Sequence, residues 1–110
     1  MYKDWVPHPK ETRCLRVKGT SMHPVLPDGS LVAVDGAIRE PAQCADGIVA
    51  ARVDDGVVIK WLTVAKDVLM LRSENREFAP VVLHPSEDEP SPIVGKVIWS
   101  LTRWLPAEQK

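Results

Sequence analysis

Asp-Gly pairs at Asp28-Gly29, Asp35-Gly36, Asp46-Gly47 and Asp55-Gly56 cut this chain into short apolar runs rich in valine and isoleucine. Asp-Gly is turn chemistry, because both residues tolerate the left-handed backbone conformations that reverse a chain. Runs of this length suit strands and are too short for stable helices. They fall at about residues 14–17, 31–34, 48–53, 57–62, 68–71, 81–83 and 93–99. Ten prolines also weigh against long helices, since proline removes a helix hydrogen bond and clashes with the preceding turn. The expectation is a mostly β fold of short, mainly antiparallel strands. Asp55-Gly56 is the favoured dipeptide for a two-residue hairpin turn and would set the register of the next strand.

A chain of 110 residues suffices for one hydrophobic core and not for two. The formal net charge is -1, with both signs mixed along the chain, so no basic stripe offers itself to phosphates and direct nucleic-acid binding is not expected. Cys14 and Cys44 lack a framework spacing and read as reduced thiols of a cytoplasmic protein. His8, His23 and His84 have no metal-ligand spacing with them, and no cofactor or metal is expected. No apolar run approaches the length of a membrane span, and the N-terminus lacks the apolar core of a signal sequence. Pro85 to Pro92, acidic and proline-rich, reads as a solvated loop. Trp99 reads as core, and Trp104 with Leu105 as a surface that meets a partner subunit.

Chemistry enters with Lys60 in Val57-Val58-Ile59-Lys60-Trp61-Leu62. In a strand Val58, Lys60 and Leu62 share one face while Val57, Ile59 and Trp61 share the other, so the lysine has apolar neighbours on both. Burial disfavours the ammonium and lowers a lysine pKa by up to about 3–5 units when complete. Such an amine can act as a base. The alternative is a lysine whose stem lies along apolar surface with its head in water, a common arrangement. Upstream, Val17-Lys18-Gly19-Thr20-Ser21-Met22-His23-Pro24 offers a serine at a bend, with Gly19 free to turn before it and Pro24 stiffening the chain after it. The Ser21 amide, supported by Gly19, Thr20 and Met22, would face an oxyanion formed on attack at a carbonyl. The simpler alternative is a turn whose hydroxyl bonds its own backbone.

The order of these pieces carries a resemblance. Residues 15–24 followed by Leu26-Pro27-Asp28-Gly29-Ser30-Leu31-Val32-Ala33-Val34-Asp35, the hairpin from Asp46 to Leu62, the segment Leu71 to Val81 and the strand Ile93 to Trp99 together resemble the LexA-like serine peptidases. That group comprises the C-terminal domains of LexA, phage repressors of the lambda type and UmuD-type proteins. The resemblance spans about residues 13–105. It implies a LexA/signal-peptidase-like fold and a serine-lysine dyad, with Ser21 as nucleophile and Lys60 as general base. It also implies a homodimer, and promotion of self-cleavage by RecA filaments. Type I signal peptidases share a Ser-Met motif and a lysine base but are membrane-anchored, and the residues after Lys60 resemble LexA instead.

Three departures limit what the resemblance carries over. Ser30 stands where the family usually has a second aspartate, which concerns a turn more than the dyad. No Ala-Gly or Cys-Gly pair, the usual family cleavage site, occurs in the chain, so cleavage at the family site is not expected here. Residues 1–12 read as an extended arm, with Val6-Pro7-His8-Pro9 extended, and residues 13–110 as the peptidase domain. The twenty residues before Ser21 are too few for a helix-turn-helix domain. The expected function is a serine endopeptidase domain of the kind that self-cleaves SOS or phage repressors. The alternative is a processed UmuD-like dimeric module that binds a DNA polymerase without proteolysis.

Overall fold

The apolar runs become seven strands in the computed structural model, which describes residues 6–86 and 91–101. They are β1 (Thr12–Arg16), β2 (Leu31–Asp35), β3 (Ile48–Val53), β4 (Gly56–Ala65), β5 (Val68–Arg72), β6 (Val81–Leu83) and β7 (Ile93–Leu101). One sheet contains them all in the order β1-β2-β7-β3-β4-β5-β6. Every neighbouring pair is antiparallel, as the sequence leads one to expect. Among the described residues, helix is confined to a four-residue α1 (Pro41–Cys44) and a 3-10 turn at Pro9–Glu11. Both open on a proline, whose fixed φ suits a first helical position. The extended reading of residues 6–9 therefore gives way at Pro9.

Two buried clusters flank the sheet. Cys44, Val49, Ala51, Leu62, Leu69, Leu71 and Ile93 form one. Val17, Met22, Leu26, Val32, Val34 and Ala50 form the other, with Ile59 and Trp61 packed against it. Strand β3 contributes alternate residues to both, which is why its sequence is apolar on both faces. Val58 and Leu62 go to the first cluster and Ile59 and Trp61 to the second, the partition that strand alternation dictates.

Strand β7 lies between β2 and β3, and its registers with both neighbours shift along its length. A Cβ at Gly95 would sit 2.5 Å from the Asp35 carbonyl oxygen and 2.7 Å from a Val34 methyl, so only glycine fits this crossing.

The hairpin turn differs from the one expected. Val53 pairs with Gly56, so the two loop residues are Asp54 and Asp55, with Asp54 at φ 55°. Aspartate's short polar side chain tolerates this left-handed conformation, and Gly56 becomes the first residue of β4. Val49 consequently stands opposite Lys60. A turn on Asp55-Gly56 would have placed Ala51 there, two residues along, without changing the face that Lys60 occupies.

Cys14, in β1 opposite Ala33, is exposed and unpaired, and Cys44 is buried and unpaired. Burial pushes the Cys44 thiol up. Trp99 is half-buried, with its indole N–H enclosed and no acceptor for it among the described residues. Trp104 and Leu105 lie outside the described residues, as does part of the loop 85–92. No helix among the described residues is long and apolar enough to cross a membrane.

Candidate active site

Ser21 sits on a loop that is pinned at both ends. The Val17 N–H donates to the Ser30 carbonyl at 2.8 Å and the Gly29 N–H donates to the Val17 carbonyl at 2.8 Å, which carries the β1–β2 pairing to the mouth of the loop. Gly19 then turns the chain at φ 86°, and its N–H donates to Asp28 Oδ1 at 2.7 Å. A Cβ at Gly19 would touch nothing, so the glycine answers to backbone angle and not to lack of room. On the far side Met22 and Leu26 are each 1% exposed, and the Leu26 N–H donates to the Met22 carbonyl at 2.8 Å. The buried methionine anchors the loop and leaves the preceding serine half-buried at its shoulder.

Lys60 comes to this shoulder from β4. Its Nζ donates to Ser21 Oγ at 2.8 Å and to Ser73 Oγ at 2.7 Å. The Phe78 ring centroid lies 5.7 Å from the same nitrogen. Burial lowers the lysine's pKa from its ordinary value, because the ammonium loses hydration. The side chain is half-buried and not fully enclosed.

The segment after β5 holds the two halves together. The Asn75 N–H donates to the Ser21 carbonyl at 2.8 Å, and its side-chain amide donates to the Thr20 carbonyl at 3.4 Å. The Glu74 N–H donates to Met22 Sδ at 3.3 Å, and the Trp61 indole donates to Glu74 Oε1 at 2.8 Å. Asn75 Oδ1 in turn accepts from the Glu77 N–H at 2.9 Å, a local turn that fixes the segment's own shape. Ser73 and Asn75 are the site residues that sequence reasoning missed. The available signal was a polar Ser73-Glu74-Asn75 directly after an apolar strand, which by itself reads as an ordinary loop.

Of the sequence-proposed residues, Ser21 and Lys60 are in direct contact. Gly19, Thr20 and Met22 share the serine loop, where they contribute a turn, a carbonyl acceptor and a buried anchor respectively. The Ser21 N–H has no acceptor among the described residues.

A groove of about 390 Å³ opens beside the pair, lined by Leu15–Lys18, Ser21 and Val57–Lys60. Its walls are two unpaired strand edges. Among the described residues, strand β1 is paired only with β2. Strand β5 pairs with β4 only from Trp61 onward, so residues 56–60 have β3 alone beside them. Because Val17 turns both its N–H and its carbonyl toward residues 29–30, strand alternation turns the backbone groups of Arg16, the last residue of β1, toward the open edge.

Elsewhere His8 Nδ1 and Asp35 Oδ2 lie 2.6 Å apart, and Asp35 is fully buried. Asp35 Oδ1 also accepts from the Ala37 N–H at 2.9 Å. No group of three or more His, Cys, Asp or Glu gathers as a metal site among the described residues.

Comparison with known proteins agrees with this geometry. A family model described as Peptidase S24-like matches residues 1–98. The LexA repressor of Actinobacillus succinogenes is 36% identical to the chain over 89 residues, covering 79% of the chain and 40% of that protein. The LexA repressor of Cupriavidus metallidurans is 39% identical over 77 residues, covering 68% of the chain and 34% of that protein. The LexA repressor of Vibrio campbellii is 40% identical over 75 residues, covering 66% and 34%. The chain thus spans well under half the length of these relatives. By family match and by identity, the chain belongs to the Peptidase S24-like family.

Proposed function

We propose that this chain is a serine peptidase domain that works through a Ser21–Lys60 dyad, of the kind that cuts within its own longer polypeptide in self-cleaving repressors. The observation that carries the reading is the 2.8 Å contact between Lys60 Nζ and Ser21 Oγ, on an amine that burial makes easier to deprotonate. With Lys60 neutral, the contact runs in the opposite sense: the Ser21 O–H donates to the Nζ lone pair while Nζ still donates to Ser73 Oγ. Ser73 is then a positioning residue that points the lone pair at Ser21.

Catalysis proceeds as acyl transfer. Lys60 takes the Ser21 proton, the alkoxide adds to the peptide carbonyl, and the Ser21 N–H donates to the oxyanion. Collapse breaks the C–N bond as Lys60 returns the proton to the leaving amine. Water, deprotonated by Lys60, then attacks the ester and frees Ser21. The groove suits an extended peptide, because strand edges on both walls can hydrogen-bond its backbone. Self-cleavage in repressors is supported by the likeness to the LexA repressors.

Acylation by an activated ester tests this. Incubation with p-nitrophenyl acetate should leave one acetyl group that peptide mapping places on Ser21. Acetylation spread over surface lysines, with none on Ser21, would contradict the proposal.

A further inference from the structure

We infer that the groove beside Ser21 selects extended peptides bearing an acidic side chain alongside Lys18 and Arg16, a reading that rests on the groove being the peptide site. Among the described residues, the charged ones that line it are Arg16, Lys18 and Lys60, and no carboxylate lines it. Lys60 is occupied by Ser21 and Ser73, and is neutral when it acts as a base. Two cations remain. Arg16 uses Nη1 to donate to the Gly29 carbonyl at 2.7 Å, and its other guanidinium N–H groups have no partner among the described residues. Lys18 is exposed and has no partner among the described residues. Asp28, on the same loop, is held by the Gly19 N–H.

Position turns these charges into a selectivity. Val17 is buried, so Arg16 and Lys18, its neighbours in an extended chain, point to the opposite face. A peptide laid along the β1 edge alternates in the same way. Every second side chain meets the apolar wall of Leu15, Val17 and Ile59, and the others come beside Arg16 and Lys18. Opposite charges on one face of adjacent strands attract, and like charges repel. Nothing in the fold requires the Lys18 charge, since the chain's turn is made by Gly19 and its anchor by Met22.

The test is fluorescence anisotropy on the Ser21→Ala chain, which binds without cutting, so the outcome does not depend on the dyad. Two labelled decapeptides share small apolar residues at alternate positions and carry either Glu or Lys at the rest. At low salt the Glu peptide should bind roughly five- to tenfold more tightly, the size of a partly exposed charge pair or two. The preference should shrink near 1 M salt, where the screening length is about 3 Å. Lys18→Glu should reverse the order, while Lys66→Glu, at the remote β4–β5 turn, should leave it unchanged. Equal affinities, a preference that survives Lys18→Glu, or no binding of either peptide would overturn the inference. Acylation of wild-type Ser21, measured separately, reports on the dyad alone.

Discussion

Ser73 Oγ stands 2.7 Å from Lys60 Nζ, and the same nitrogen meets the Ser21 hydroxyl at 2.8 Å. The amine is therefore held between two hydroxyls, one proposed to react and the other proposed to aim it. Removing the aiming hydroxyl should slow the chemistry without abolishing it. A neutral hydrogen bond is worth about 0.5–1.5 kcal/mol, so Ser73→Ala should lower the rate of Ser21 acylation by roughly two- to thirteenfold. Ser73→Thr, which keeps the hydroxyl, should restore most of the rate. Quenched acylation time courses followed by mass spectrometry measure both, and circular dichroism checks that the variants fold.

Acylation should also depend on pH in one direction. Burial lowers the Lys60 pKa, and only the neutral amine can take the serine proton. The rate should rise with pH and level off above the folded-state pKa, at a pH below the ordinary lysine range. Stability should move with the same sign. Between the folded and unfolded pKa values the unfolded chain binds more protons, so stability rises with pH through that window. Lys60→Met, which removes the desolvated amine, should fold with equal or greater stability at neutral pH and lose this pH dependence. Urea unfolding at a series of pH values measures it.

The His8–Asp35 contact gives a second, opposite pH effect. The hydrogen bond to buried Asp35 is the largest influence on His8, and with the charges of Asp35 and Glu11 it raises the pKa against some desolvation. A raised histidine pKa contributes stability that is complete below its unfolded value near 6.5 and is lost as pH rises through the folded value. An NMR titration of the His8 ring should therefore show a midpoint above 6.5. In Asp35→Asn it should fall back toward the unperturbed value.

Gly95→Ala should be among the most damaging small substitutions in the chain. The added methyl meets backbone atoms of Asp35, which cannot rotate away. Overpacking of this kind costs about 1–3 kcal/mol or more. Thermal unfolding should show a clear drop in Tm, whereas Gly19→Asn, at a left-handed position with open space, should cost much less.

Much of this was legible in the sequence because it obeys local rules. Alternation of apolar residues set the faces of β4, and Val58, Leu62, Ile59 and Trp61 divide between the two clusters as alternation requires. The Ser21 bend was visible in Gly19 and Pro24 on either side of the serine. The turn before β4 was not, because Asp54 adopts a conformation that a glycine-centred reading assigns to Gly56. Nor were the roles of Ser73 and Asn75, which exist only because the segment after β5 folds back on a loop some fifty residues earlier in the chain. The place of β7 between β2 and β3 was equally hidden, since strand order depends on long-range pairing that no local pattern encodes.

The dyad itself is best tested by intact mass after treatment with a serine-directed phosphonofluoridate, on the wild-type chain beside Ser21→Ala and Lys60→Ala. A working dyad gives a single adduct on the wild type, mapped to Ser21, and none on either variant over the same time. An unmodified, correctly folded wild-type protein, or an adduct that persists undiminished in Lys60→Ala, would contradict it.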